Sequence, residues 1–186
     1  QISKSRPLFF ILIDNLRFDQ WKTISSELAG LYRIVNEDFY FSILPTATQY
    51  SRNAIFAGLM PSKIAELMPR FWVDDDDEAG KNRFEEEMFR NHLSRKGLKY
   101  KWSYNKISTN TEAKKVNEKI DPMLGNDINI LIYNFVDILS HARTDIGVIR
   151  DLTDNETAYR SLVRSWFIHS SLSDLLKILT SHQVKV

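Results

Sequence analysis

Two runs of the chain are apolar almost without interruption. Leu8 to Ile13 reads LFFILI, and Ile128 to Val136 reads INILIYNFV. Runs of this length suit strands buried on both faces of a parallel sheet. Each ends at an aspartate, Asp14 in the first case and Asp137 in the second. Elsewhere the apolar residues recur every third or fourth position. Phe18, Trp21, Ile24 and Leu28 predict a helix over Arg17 to Leu28, ended by Gly30. Thr48 to Leu59 predicts another, stopped by Gly58 and Pro61. Phe84, Met88, Phe89 and Leu93 form one stripe of a helix over Arg83 to Lys96, before Gly97. Thr111 to Ile120 predicts a short polar helix. Phe39 to Leu44, closed by Pro45, and Lys99 to Tyr104 predict short strands. Thr153-Asp154-Asn155-Glu156 has the spacing of a capping box. The apolar period from Ala158 to Leu179 then predicts one helix of about 25 residues. Gln183 to Val186 reads as the beginning of a further strand. Strands alternating with helices predict an α/β layered fold with a mostly parallel sheet.

Composition narrows the class. The chain has 186 residues, 43% of them hydrophobic and 12% aromatic, enough for the core of a single domain and too many for a disordered chain. A net charge of +1 excludes a bulk polyanion binder. The absence of cysteine excludes disulfides, zinc ribbons, iron–sulfur clusters and thiol nucleophiles. Any metal must therefore be held by carboxylate, imidazole or hydroxyl groups. No apolar run reaches the roughly 18 residues that span a bilayer. Gln1 to Pro7 lacks a signal-peptide pattern. A cytoplasmic protein without membrane contact is the expectation. The missing initiator Met and the strand begun at Gln183 to Val186 predict a piece of a longer chain.

Charge is distributed unevenly. Residues 71–90 hold eight acids, among them Asp74 to Asp77, and residues 93–119 hold eight bases. Two solvated surfaces account for both. A cation site in the acidic run and attraction of phosphate-bearing substrates by the basic stretch are the sharper readings. Tyr100, Trp102 and Tyr104 among the lysines would also suit base stacking.

In open α/β sheets, reactive groups sit just beyond the carboxyl ends of the strands. Three segments lie at such points: Asp14-Asn15, Pro45-Thr46-Ala47-Thr48 and Asp137-Ile138-Leu139-Ser140-His141. Each has a bland reading. Asp14 and either threonine would serve as helix N-caps, and Asp137 with His141 would make a loop ion pair. In order, each after its own strand, they suit phosphoryl transfer. Two divalent ions about 4 Å apart neutralise the phosphate oxygens and activate a nucleophile. A threonine hydroxyl becomes an alkoxide when a metal ligates it.

These segments carry a resemblance. Phe10 to Asp19 resembles the opening metal motif of the alkaline phosphatase superfamily. Pro45 to Arg52, followed by Phe56-Ala57-Gly58-Leu59-Met60-Pro61, resembles its nucleophile segment, and Asn134 to His141 its later Asp-x-x-x-His motif. The wording is most similar to the PglZ branch, and within it to the effector domain of PorX-type response regulators. The resemblance implies a three-layer αβα fold with a mostly parallel sheet, alkaline phosphatase-like and C-terminally truncated. Residues 1–186 would be the first part of a single PglZ domain, with 62–127 an insertion or lid.

The resemblance also implies roles. Thr48 would be the nucleophile, since it lies ten residues before Gly58. Asp14 and Thr48 would share one metal, and Asp137 and His141 would bind the other. Zinc is the expected metal, with manganese as the alternative. Arg52 or Asn53, in the helix turn after Thr48, would contact phosphate. The superfamily's further Asp-His pair and third His are absent, and their expected place is beyond Val186. The remaining histidines do not replace them. His169 falls within an apolar helical period, His182 precedes the nascent strand, and His92 lies on an acidic helix face. The implied function is a metal-dependent phosphoester hydrolase acting on phosphoesters, nucleotides or oligonucleotides, the 186 residues alone being inactive. It would be the effector of a two-component regulator, with a receiver domain, signalling proteins and a homodimer as partners. The alternative is a non-catalytic binding module with a structural or vestigial metal site, using Phe71 and Trp72 as contacts.

Overall fold

A computed structural model describes residues 7–73, 80 and 82–186. In chain order the elements are β1 (Leu8–Ile13), α1 (Phe18–Ser25), α2 (Thr48–Ala57), α3 (Pro61–Leu67), α4 (Glu85–Arg95), β2 (Trp102–Ile107) and α5 (Asn110–Asn117). Then follow α6 (Ile120–Leu124), β3 (Ile128–Tyr133), α7 (Phe135–Asp145), α8 (Gly147–Leu152), α9 (Glu156–His169) and α10 (Ser171–Ser181). Residues 7–37 and Lys101–Val186 form one compact unit, and Asp38–Tyr100 a second. The stretch 62–127 contributes to both, since β2, α5 and α6 belong to the first unit. Among the described residues, no helix is long and apolar enough to cross a membrane.

The first unit is built on a sheet of order β1-β3-β2, parallel throughout. This is the predicted three-layer α/β class with a mostly parallel sheet. β3 lies in the middle, and all six of its residues are buried. Its apolar run is thus explained by burial on both faces. The odd positions Phe9, Leu131, Tyr133 and Ile107 join one core with Val116 of α5, Val163 and Phe167 of α9, and Leu172, Leu175 and Leu179 of α10. Asn129 is the polar exception within β3. It is fully buried, accepts from Ser103 Oγ and Asn126 Nδ2, and donates to the Met123 carbonyl, each at 2.8 Å. A buried amide so satisfied fixes register at little net cost. At the other edge, Phe9 N–H donates to the Lys185 carbonyl at 2.8 Å, and Leu8 bridges Lys185 in parallel. The expected strand at Gln183 to Val186 is represented by this single bridge beside β1.

Several expectations need correction. Phe39 to Leu44 is not a strand. Its backbone is irregular and Phe41 is 92% exposed. Strand propensity expresses itself only against a neighbour, and among the described residues the second unit contains no strand. β2 starts later than predicted because Trp102 pairs with Ile128, and the ladder then runs to Ile107 beside Tyr133. The single long helix is two helices. Ser170 is extended (φ −86°, ψ 154°), and its Oγ donates to the Phe167 carbonyl and accepts from Ser173 N–H. N-cap chemistry overrides the apolar period there. The cap before α9 is Asn155, which accepts from Ala158 N–H at 2.9 Å. Thr153 is fully buried instead, donating to the Ile149 carbonyl. His169 is exposed rather than packed. Phe71 and Trp72 are half-buried, their rings against Phe84 and Tyr50 at 5.4 and 5.7 Å. The acidic run Asp74 to Asp77 lies outside the described residues.

In the second unit, α2 packs on α4, with Phe56 edge-on to Phe89 at 6.5 Å. Gly58 ends α2 in the left-handed region at φ 60°. His92 of α4 occupies the space beside it, its Nδ1–H donating to the Phe56 carbonyl at 3.2 Å. Its ring is therefore packed on α2, not set on an acidic face. A Cβ on Gly58 would fall 2.6 Å from His92 Nε2. Gly58→Ala is therefore expected to destabilise the protein by about 1 kcal/mol or more, from positive φ and the displaced ring together. Urea unfolding monitored by tryptophan fluorescence measures this, and an unchanged midpoint would contradict the packing.

Candidate active site at the carboxyl edge of the sheet

β1 and β3 end level with each other, Ile13 beside Tyr133. The ladder continues one step further, because Asp14 N–H donates to the Tyr133 carbonyl at 2.9 Å. Asp14 is 8% exposed. Asn15 then takes a left-handed conformation at φ 60°, and Leu16 N–H returns to the Ile13 carbonyl. This tight turn reverses the chain into α1. The N-cap of α1 is Arg17, whose N–H donates to the Gln20 side chain at 2.9 Å. Asp14 is therefore not the cap of that helix.

After β3, Asn134 leads directly into α7, so Val136 and Asp137 are helical. The Asp-x-x-x-His pair lies on a helix, not a loop, and the i,i+4 spacing puts both groups on one face. His141 Nε2 is 3.8 Å from Asp137 Oδ1, with side chains 76% and 29% exposed. Parallel pairing of β1 with β3 thus brings Asp14, Asp137 and His141 to one edge of the sheet. Tyr133, at the end of β3, is buried and its hydroxyl has no hydrogen-bond partner among the described residues. Burial pushes that hydroxyl's pKa up, so it stays protonated at neutral pH.

Thr48, Arg52 and Asn53 belong to the second unit. Thr48 is the first residue of α2 and is half-exposed. The N-cap is Ala47, which offers no side-chain acceptor, so neither Thr46 nor Thr48 caps the helix. The α2 face carrying Gln49, Arg52, Asn53 and Phe56 is buried. Arg52 Nη2 donates to Glu85 Oε2 at 2.6 Å, and both side chains are almost wholly enclosed. Such a pair is costly to break, since either partner alone would leave a buried charge. Glu85 is a partner that sequence spacing could not reveal, 33 residues from Arg52.

A second group also escaped the sequence. Arg17 Nε and Nη2 donate to the two oxygens of Asp19 at 3.0 and 2.8 Å, and Nη2 also to Glu156. Arg143 Nη1 donates to Glu156 Oε1 at 2.8 Å, and Arg160 to Asp19 at 3.2 Å. The guanidinium groups of Arg17 and Arg143 lie over the Tyr159 ring, 5.6 and 4.8 Å from its centre. The hydrogen bonds from Arg17, opposed by partial burial and reinforced by Arg160, hold the Asp19 carboxyl at about 2. Arg143, then Arg17, lowers Glu156.

Among the described residues, no three His, Cys, Asp or Glu side chains converge into a group that could hold a metal. Carboxylate and imidazole are nonetheless suitable donors for zinc or manganese. Asp137 and His141 fit as a two-ligand face, with Asp14 on the adjoining strand end.

A family model described as the BREX system PglZ alkaline phosphatase-like domain matches residues 2–185. No curated protein matches the chain.

The arginine cluster sets a pH dependence. Because the folded pKa of Asp19 is depressed, its stabilisation is complete above the ordinary value of 3.8 and is lost as pH falls through about 2. Carboxyl carbon shifts followed by NMR should place the Asp19 midpoint near 2, rising toward 3.8 in Arg17→Gln. An unmoved midpoint in that variant would show that Arg17 is not the cause.

Proposed function

The chain belongs to the PglZ family of alkaline phosphatase-like domains, and from that premise we propose that it carries part of the active site of a metal-dependent phosphodiesterase or phosphatase. The observation behind this reading is the placement of Asp14 and the Asp137–His141 pair beyond adjoining parallel strands. That is where α/β sheets carry their reactive groups. Asp14, Asp137 and His141, with Thr48, would hold two divalent ions, zinc by donor chemistry or manganese. When bound, such ions neutralise phosphate oxygens and lower the pKa of a hydroxyl nucleophile.

The chain's own residues supply the rest. Thr48 presents its hydroxyl at the start of α2, where the helix dipole and unsatisfied N–H groups favour an anion. Its oxygen would attack phosphorus and the ester oxygen would leave, giving a phosphothreonine that water then hydrolyses. Arg52 and Asn53, one turn further along α2, are the proposed phosphate contacts. Arg52 Nη2 is already bonded to Glu85, and both Arg52 and Asn53 are buried. Nucleotides or oligonucleotides are the proposed substrates. With no three-ligand group among the described residues, these 186 residues are expected to bind metal weakly and to turn over little.

A role as the effector of a response regulator, beside a receiver domain, belongs to the same proposal. Its support is the wording of the three motifs.

The test is metal content together with turnover of bis-p-nitrophenyl phosphate. Thr48→Ala should abolish whatever turnover the unaltered chain shows and leave its metal content unchanged. The pair Asp137→Ala and His141→Ala should lose both. Unchanged turnover in Thr48→Ala would end the nucleophile assignment. Metal retained in full by the double variant would end the ligand assignment.

A further inference from the structure

We propose that Glu156 is a positioning residue for the metal ligands, tying the segment after β1 to the helix after β3. This rests on the assignment of Asp14, Asp137 and His141 as ligands. Beyond the last rung of the β1–β3 ladder the two chains diverge. One turns at Asn15 into Arg17 and α1, and the other enters α7. Glu156, the first residue of α9, reaches both. It accepts from Arg17, three residues after Asp14, and from Arg143, two residues after His141.

The tie is more than a solvent-exposed ion pair. Both guanidinium groups are also stacked over the buried Tyr159 ring, three residues on from Glu156 in the same helix. Two cations above one ring repel each other unless a carboxylate lies between them, and Glu156 provides it. Asp19 holds the Nε–Nη2 edge of Arg17, sharing Nη2 with Glu156, and links it to Arg160 of α9. α1, α7 and α9 are thereby held together at the edge where the ligands stand. Ligands drawn from separate elements must keep their spacing to within about half an ångström to hold a metal well. The ladder sets the strand ends, and Glu156 sets the direction in which α7 leaves them.

Two variants of the full chain separate this from a general effect on stability. Glu156→Gln keeps the shape and removes the charge. Glu27→Gln breaks a comparable pair, Glu27 with Arg164 Nε at 2.8 Å, which reaches α9 without touching Arg17 or α7. Zinc affinity is read by competition with a chromophoric chelator, and hydrogen exchange of residues 135–145 is read without metal. Glu156→Gln should weaken zinc binding about tenfold and speed α7 exchange. Glu27→Gln should leave affinity within about twofold of wild type, as exposed pairs are worth little. Glu156→Asp, which restores the charge, should recover part of the affinity. Equal affinity in Glu156→Gln and Glu27→Gln would overturn the proposal while leaving the ligands in place. Zinc bound equally by wild type and by the Asp137→Ala, His141→Ala double variant, or by neither, would overturn the ligand assignment and this proposal with it.

Discussion

The hydrogen-bond ladder between β1 and β3 is the constraint on which the rest of the first unit depends. The two strands are far apart in sequence, yet Leu8 pairs with Ile128 and the register holds to Ile13 and Tyr133. In a parallel pair, equal register means that the carboxyl ends coincide. Everything placed immediately after those ends is therefore brought to one edge, whatever the intervening chain does. A slip by one residue would turn Phe9 and Leu131 out of the core and move Asp14 away from the Tyr133 carbonyl. The apolar packing that fixes the register is thus also what gathers the polar groups.

That dependence explains what could be read from the sequence. β1 and β3 were legible because burial on both faces leaves continuous apolar runs, and the aspartates at their ends needed only the rule for parallel sheets. α2 and α4 were legible from their period and from glycine stops. The failures have physical causes of two kinds. Ser170 and Asn155 won local competitions in which a side-chain oxygen satisfied N–H groups better than continued helix would have. Phe39 to Leu44 has the composition of a strand, but pairing is a property of two segments, and composition describes one. Arg17, Arg143, Glu156 and Tyr159 were invisible for the same reason. Contacts separated by 139 residues leave no spacing signal.

The two units handle charge in opposite ways. In the first, guanidinium and carboxylate groups alternate over an aromatic ring and remain partly hydrated, so each pair is individually weak. Its importance lies in geometry, because the carboxylate of Glu156 receives two donors from two elements. In the second, Arg52 and Glu85 are withdrawn from solvent altogether. Burying a pair of this kind rarely stabilises a protein relative to an apolar substitute. Gln49 and Asn53 lie on the same buried face, next to Thr48 at the helix start. So much polar surface under one short helix conflicts with the ordinary rules of core packing, and such conflicts concentrate at functional sites.

The start of α2 narrows what Thr48 is for. A threonine near a helix N-terminus is most often its cap, the hydroxyl accepting an N–H two or three residues on. Two threonines flank this start, and the backbone passes the cap position to Ala47 between them. Ala47 is extended at ψ 144° and Thr48 is already helical. α1, α3 and α4 also begin without a side-chain cap, so the missing cap alone carries no message. What matters is the displacement of Thr48 by one position, from cap to first turn. A hydroxyl used for capping would be turned back onto the backbone. Placed at the first helical residue, half-exposed, it stands where unsatisfied N–H groups and the helix dipole both favour a negative ligand. A phosphoester brought to that position would meet the hydroxyl and the anion-favouring field together, as the proposed phosphothreonine step requires.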